Sequence, residues 1–264
     1  MKLYFTEQGA GFPLIILHGL YGSSDNWISI AKELAPKFRV ILVDLRNHGR
    51  SPFANEVTYA LMAQDVLDLV AELKLEKFYL IGHSMGGKVA MRLTSMSPNA
   101  VKKLVAVDIS PFGYKCGSEK IIGEHSAIID GLKSLPLHLV QTRQEADDFL
   151  STYVPNVRVR QFLLKNLKRS RTGCYFWQLN VNAIAENIES IMDFAFDPNS
   201  KVKIETPTLF VKGENSDYLS ARCVEQLPSQ FNNYKVVEVP NAGHWLHAEQ
   251  PQLFVKLVSG FFAD

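Results

Sequence analysis

The residues with the clearest potential for chemistry are Gly82, Ser84 and Gly86, which form the pattern G-x-S-x-G. The pattern follows an apolar run at 78–81, typical of a buried strand, and precedes a helical pattern. A strand that turns directly into a helix strains the residue at the turn and leaves no room for side chains two positions away. The spacing therefore predicts Ser84 as a nucleophile. The alternative is a chance match in an ordinary turn, and the flanking strand, the helix and Gly87 favour catalysis.

A serine nucleophile needs a proton acceptor that works near neutral pH, most often a histidine. In a triad built on such a turn the acid and then the histidine follow the serine, which excludes the three histidines that precede Ser84. His244 lies in a turn between the last apolar run and the C-terminal helical pattern, and we predict it as the base. We expect His247 at the helix entry and structural roles for His125 and His138. No further ligand pattern around His244-x-x-His247 indicates a metal site.

The imidazole in turn needs a carboxylate to hold its tautomer. Asp108 and Asp217 each follow an apolar run in the right part of the chain, and the pattern does not choose between them. Asp44 also follows such a run but precedes the nucleophile, so we expect it to stabilise its own loop.

Attack by serine on a carbonyl places negative charge on the oxygen, and preformed N–H donors must stabilise that charge. The backbone N–H of Met85, directly after the nucleophile, is one predicted donor. The second should come from a loop after an earlier strand. The run at 14–17 followed by His18 and Gly19 predicts that the N–H of Leu20 supplies it.

The elements that must position these residues form an alternating pattern. Short apolar runs, each typical of a strand buried on both faces, occur at 13–17, 40–43, 78–81, 104–107, 208–211 and 236–239. Helical periodicity lies between them, at 62–73 and again from Pro251 onward. This alternation predicts an α/β fold with a mainly parallel, doubly wound sheet. About a hundred residues separate the runs at 104–107 and 208–211, and they contain helical patterns without strand-like alternation.

Composition narrows the class of protein. The 264 residues contain 28 Lys and Arg against 27 Asp and Glu, so the charges nearly cancel. The chain therefore has no excess of positive charge to favour binding to nucleic acid or to an anionic membrane. The apolar runs are too short to insert in a membrane. The cysteines, Cys116, Cys174 and Cys223, form no C-x-x-C pair, which argues against a disulfide framework or a cysteine metal site. We expect a soluble, cytoplasmic protein.

The motifs around His18-Gly19, the segment 44–51, Gly82–Gly86 and the turn at His244 together resemble those of the α/β-hydrolase superfamily over essentially the whole chain. More narrowly, the segments 107–111, 213–216 and 243–247 resemble the small bacterial acyl-CoA esterase/thioesterase branch, related to the mitochondrial α/β-hydrolase domain proteins. The resemblance implies a hydrolase core at 1–111 and 204–264. It also implies a helical lid, or cap, at 112–203.

The resemblance also bears on the acid. In most superfamily members the catalytic acid lies three residues after the glycine that corresponds to Gly213. This chain has Ser216 at that position. In the narrower branch this position is also non-acidic, and the acid matches Asp108. The resemblance therefore favours Asp108, with Asp217 as the alternative.

We predict a serine hydrolase that cleaves small to medium acyl esters, or thioesters, through an acyl-enzyme, with Ser84, His244 and Asp108 as its triad. The predicted partner is the small-molecule substrate, and no cofactor is expected. Alternatives are a carbon–carbon bond hydrolase or a peroxidase using the same triad, or a slow-turnover small-molecule sensor in a hydrolase shell. The sequence does not predict the oligomeric state.

Overall fold

The computed structural model describes residues 1–113, 119–193 and 203–263. Within these ranges the chain forms nine strands, which are Phe5–Gln8 (β1), Phe12–Leu17 (β2), Phe38–Val43 (β3), Phe78–His83 (β4), Val101–Val107 (β5), Leu167–Arg169 (β6), Tyr175–Trp177 (β7), Thr208–Gly213 (β8) and Tyr234–Val239 (β9). Seven of them form one sheet in the order β1-β3-β2-β4-β5-β8-β9. β1 is antiparallel to β3, and every other neighbouring pair in this sheet is parallel.

Helices connect the strands. They are Ile28–Leu34 (α1), Tyr59–Glu72 (α2), Met85–Met96 (α3), Glu119–Ser134 (α4), Arg143–Ser151 (α5), Val157–Leu164 (α6), Val181–Glu186 (α7), Ile188–Ile191 (α8), Ala221–Gln226 (α9), Leu246–Glu249 (α10) and Pro251–Ala263 (α11). Thr58 caps α2 by accepting a hydrogen bond from the Leu61 amide, and Pro251 begins α11.

Both faces of the sheet are buried, as successive residues of β2 illustrate. Ile15 and Leu17 pack on the face covered by α2 and α3, whereas Leu14 and Ile16 pack on the opposite face, under α1 and α11. In a strand covered on both sides every apolar side chain stabilises the fold through burial, by about 1.5–3 kcal/mol for each fully buried Leu or Ile. This explains the apolar runs of the central strands, and it confirms the predicted doubly wound sheet. The run predicted at 236–239 lies in edge strand β9, which is only partly buried and exposes Glu238.

The parallel strands end in register, which brings their following residues to one edge. Leu17 pairs with Gly82, His83 pairs with Val107, and Val107 pairs with Val211. The residue after each strand therefore emerges at the same carboxyl edge, where open α/β sheets bind their ligands.

Between β5 and β8 lies a mainly helical insertion that contains α4 to α8. The predicted helical patterns correspond to α4, α5 and α6. Part of the insertion packs on itself through buried side chains, which are Leu135, Val140, Ala146, Leu150, Leu164 and Leu167.

Two details differ from the sequence analysis. The insertion contains a short antiparallel hairpin of β6 and β7, where no strand was expected, and β1 adds an edge strand that was also not predicted. Each strand of the hairpin has three residues, too few for an alternating pattern to stand out. β1 is only partly buried and carries Glu7 and Gln8, so it lacks the apolar run of the central strands.

Candidate active site

Ser84 lies at the turn between β4 and α3. Its backbone angles, φ +52° and ψ −122°, are outside the regions that ordinary residues favour. The turn is fixed by neighbouring main chain, since the Ser84 amide donates to the Val107 carbonyl (3.0 Å) and the Gly87 amide donates to the Ser84 carbonyl (2.8 Å). A Cβ on Gly82 would collide with the Gly86 carbonyl oxygen. The predicted strained turn is present, and Ser84 lies at its apex.

Asp108 and His244 are in direct contact. The Nδ1–H of His244 donates to Oδ2 of Asp108 at 2.7 Å. Asp108 is fully buried, and its carboxylate also accepts hydrogen bonds from the Gly213 amide (3.0 Å) and from the Ser216 hydroxyl. These donors stabilise an ionised carboxylate away from water.

Asp217, the alternative acid, lies on the surface. Its side chain is 82% exposed and forms a long ion pair with Lys120, at 3.8 Å. The structure therefore brings Asp108, and not Asp217, to His244. The third carboxylate, Asp44, holds its own loop as predicted, because it accepts the amides of Ser24 (2.6 Å) and Arg50 (2.8 Å).

Ser84 and His244 line the same cavity. Within the described ranges the Ser84 hydroxyl forms no hydrogen bond, so none joins it to the imidazole in this conformation. With Nδ1 engaged by Asp108, Nε2 is the imidazole nitrogen that remains for a proton from serine. The His244 turn is held by His83, whose Nε2–H donates to the His244 carbonyl at 2.8 Å.

The loop that contains Leu20 is held by two buried histidines. His18 donates Nδ1–H to the Gly19 carbonyl (2.8 Å), and its Nε2 accepts the amide of Leu45 (3.0 Å). His48 Nε2 accepts the Tyr21 amide at 3.3 Å. In the described parts of the chain, the amides of Leu20 and Met85 donate to no acceptor, which leaves both of them available to a ligand.

Sequence reasoning missed these supporting histidines. The order of residues along the chain excludes these histidines as the catalytic base, but it does not show which loops they bind. Burial lowers the pKa of His48 to about 3 and that of His83 well below its usual value, so both are neutral near pH 7. A neutral imidazole can accept a backbone N–H, and a protonated one cannot.

His125 and His247 have contacts that the sequence does not indicate. His125 lies in the cavity wall, between the hydroxyls of Tyr21 and Tyr218. His247 lies at the start of α10, the predicted helix entry, where it is buried and stacks on Trp27 with ring centroids 4.1 Å apart.

The cavity above Ser84 has a volume of about 290 Å³. Of the predicted site residues the core contributes Leu20, Ser84 and His244, and the insertion contributes apolar side chains such as Ile121, Ile128, Val159, Phe162 and Leu163. Such a cavity can hold an apolar acyl group beside a few polar atoms.

Lys88, one turn after Ser84 on α3, has a buried amine that contacts two separate parts of the insertion. Its Nζ donates to the carbonyls of Phe112 (2.9 Å) and Asp193 (2.6 Å). Burial lowers the pKa of its amine to about 7. One side chain on the helix of Ser84 thus joins Phe112, at the start of the insertion, to Asp193, which follows α8.

Residues 1–113, 119–193 and 203–263 contain no cluster of three or more His, Cys, Asp or Glu side chains that could hold a metal ion. They also contain no helix both long and apolar enough to cross a membrane. Cys174 and Cys223 are free thiols, and Cys116 lies outside the described residues.

The sequence profile of the α/β-hydrolase fold family matches residues 13–251. The chain belongs to this family. The hydrolase is 40% identical over 265 residues to the sn-1-specific diacylglycerol lipase ABHD11 of Mus musculus, covering 97% of this chain and 83% of the mouse protein. It is 33% identical to Esterase YbfF of Escherichia coli (strain K12), over the full length of both.

Among solved structures, the hydrolase superposes on a marine microorganism esterase with a TM-score of 0.94 and 45% identity, over 98% of this chain and 99% of that one. The predicted membership of the α/β-hydrolase superfamily is confirmed.

Proposed function

We propose that this hydrolase cleaves carboxylic esters of small to medium acyl groups through an acyl-enzyme formed on Ser84. The observation that carries the proposal is the hydrogen bond between buried Asp108 and His244, whose side chain lines the cavity that contains the strained Ser84. Nothing in binding alone requires a buried carboxylate, an oriented imidazole and a projected hydroxyl together. The relatives named esterase and diacylglycerol lipase support the same reaction class.

In the first half-reaction His244 Nε2 takes the Ser84 proton as the serine oxygen attacks the ester carbonyl. Asp108 keeps the proton on Nδ1 and stabilises the imidazolium that forms. The amides of Leu20 and Met85 bind the oxyanion, and each such donor contributes about 3–4 kcal/mol to transition-state stabilisation in a site that excludes water. His244 then returns the proton to the leaving alcohol.

In the second half-reaction water attacks the acyl-enzyme with His244 again as the base, which releases the acid and restores Ser84. Each step moves one proton between oxygen and Nε2, so no cofactor is needed. The same sequence operates on a thioester, whose leaving group is a thiol, and we include thioesters in the proposed substrate class.

The substrate size follows from the cavity. Its volume of about 290 Å³ lies near the lower end of small-molecule sites, which favours short and medium acyl chains. We propose that the insertion, residues 112–203, acts as a cap on a core formed by 1–111 and 204–264. Helices α4 and α6 place apolar side chains such as Ile121 and Phe162 directly in the cavity wall.

The test is hydrolysis of p-nitrophenyl butyrate by the wild type and by Ser84→Ala. We expect the variant to lose turnover by a factor of about 10⁴ or more. Ser95→Ala is the matched control, because Ser95 lies on the same helix, with its hydroxyl bound to the Arg92 carbonyl, and should retain wild-type rates.

Intact mass after treatment with a fluorophosphonate should show one adduct on the wild type and on Ser95→Ala, and none on Ser84→Ala. Ester binding without release of p-nitrophenol would indicate a sensor instead, and full turnover by Ser84→Ala would refute the proposed nucleophile. Thioesters and oxygen esters with the same acyl chain should both lose hydrolysis in Ser84→Ala.

A further inference from the structure

His125 bridges two tyrosines from different parts of the core. Its Nδ1 lies 3.2 Å from the Tyr21 hydroxyl, and its Nε2 lies 3.2 Å from the Tyr218 hydroxyl. His125 belongs to α4 of the insertion, while Tyr21 follows β2 and Tyr218 follows β8. Both ring nitrogens are therefore used, and each joins the insertion to a loop at the carboxyl edge of the sheet.

Tyr21 borders the proposed oxyanion site. It follows Leu20 directly and has a positive φ of 61°. Its amide is held by His48, and its carbonyl accepts a hydrogen bond from the side chain of buried Asn166, also in the insertion, at 2.7 Å. A shift of Tyr21 would rotate the peptide next to Leu20 and move the predicted oxyanion donor.

Tyr218 borders the proposed base. Its ring stacks on the His244 imidazole with centroids 3.6 Å apart and an interplanar angle of 17°. The stack covers one face of the imidazole while Asp108 holds its edge. The position of the Tyr218 ring therefore limits how far His244 can rotate.

The chemistry of His125 suits a fixed bridge. Desolvation, together with the charge of nearby His244, lowers its pKa to about 4, so the ring is neutral near pH 7. A neutral imidazole has one donor and one acceptor nitrogen, and a tyrosine hydroxyl can serve either. The ring can thus satisfy both tyrosines at once without a buried charge.

We propose that His125 is a positioning residue through which the insertion aligns the oxyanion loop with the catalytic base. This inference rests on the proposed function, because the contacts of His125 with Tyr21 and Tyr218 affect catalysis only if Leu20 and His244 take part in it. His125 itself contacts no reacting atom. It acts through Tyr21 on one side and Tyr218 on the other.

The test compares His125→Phe with the wild type. Phenylalanine keeps a planar ring and removes both hydrogen bonds, and His138→Phe, at an exposed histidine of the same insertion, is the control. We expect His125→Phe to lower kcat for p-nitrophenyl butyrate by about ten- to a hundredfold, the size of loss that follows misplacement of catalytic groups. KM should change by less than about threefold. His125→Gln, which offers a donor and an acceptor, should recover part of kcat.

A double-mutant cycle separates this role from plain packing. If the bridge acts as a unit, adding Tyr218→Phe to His125→Phe should lower kcat little further. A His125→Phe variant with a lower Tm but a wild-type kcat would overturn the inference. If His125→Phe does not fold, the variants Tyr21→Phe and Tyr218→Phe test the inference instead. A wild-type kcat in both of them would overturn it. A wild type that takes no fluorophosphonate on Ser84 would instead refute the proposed function.

Discussion

Asp108 and His244 are 136 positions apart in the chain, yet a 2.7 Å hydrogen bond joins them at the carboxyl edge of the sheet. Asp108 directly follows β5, and its φ of +48° turns the chain there, while His244 lies in the turn after β9. Parallel strands in register bring the two turns together. Both residues belong to the core sheet and its loops.

This contact predicts that Asp108→Asn loses activity and Asp217→Asn does not. The amide cannot stabilise an imidazolium or hold its tautomer, so kcat should fall by about 10⁴-fold, whereas exposed Asp217 should tolerate the change within about twofold. Steady-state hydrolysis of p-nitrophenyl butyrate measures both. Loss in Asp217→Asn alone would show that the acid has been misassigned.

Ser216 offers a finer test of the same carboxylate. Its hydroxyl donates to the Asp108 oxygen that also binds His244. A hydrogen bond to a charged group contributes about 1.5–3 kcal/mol, so Ser216→Ala should lower kcat by about ten- to a hundredfold. Ser216→Thr, which keeps the hydroxyl, should retain most of the activity. Equal losses in the two variants would argue against a role for the hydroxyl.

The tight turn at Ser84 predicts a large effect on folding at Gly82. A methyl group there would meet the Gly86 carbonyl, which is main chain and cannot move aside, so Gly82→Ala should lower the free energy of unfolding by about 3 kcal/mol or more. Gly260→Ala is the control, because Gly260 lies on α11 with open space around it, and it should gain about 0.5–1 kcal/mol. Urea denaturation measures both. A fully stable Gly82→Ala would contradict the geometry of the turn.

Buried His247 predicts acid sensitivity. Burial lowers its pKa to about 3, so below the unfolded value of about 6.5 the unfolded chain binds a proton that the folded chain does not. Stability is therefore unaffected above pH 6.5 and falls as the pH drops towards 3, by about 1.4 kcal/mol per pH unit for this residue. His247→Phe, which can still stack on Trp27, should make the fall shallower by that amount.

The measurement is urea unfolding at intervals from pH 7 to pH 4, with His138→Gln as the exposed control. An unchanged slope in His247→Phe would mean that the imidazole is not kept neutral by the fold.

Much of the core could be predicted because burial on both faces gives an unmistakable pattern. Runs such as 13–17 and 208–211 stand out because every residue in them except half-buried Pro13 is buried. β1 could not be predicted in this way, because it lies at the edge of the sheet, is only partly buried and has no apolar run. Ser84 could be predicted because the sharp turn around it requires glycines at fixed spacing. His244 could be predicted because the histidine of such a triad follows the serine and the acid along the chain.

The remaining features depend on contacts between distant residues. Asp108 and Asp217 both follow apolar runs, and only the folded chain shows that one turns inward and the other ends at the surface. His125 has no local signal, because its partners are 104 and 93 positions away. A periodic pattern shows which face of a helix is apolar, but not which polar group of another loop meets it.

Lys88 sets a condition for exchanging specificity between relatives. Its amine binds main-chain carbonyls, at Phe112 and Asp193, so the anchoring does not depend on side-chain identity at either residue. A foreign segment of different length could thus be spliced between these two positions, provided that it offers a peptide oxygen at each splice and a histidine at the place of His125. Chimeras that meet these conditions would carry a new binding wall onto the same reaction centre.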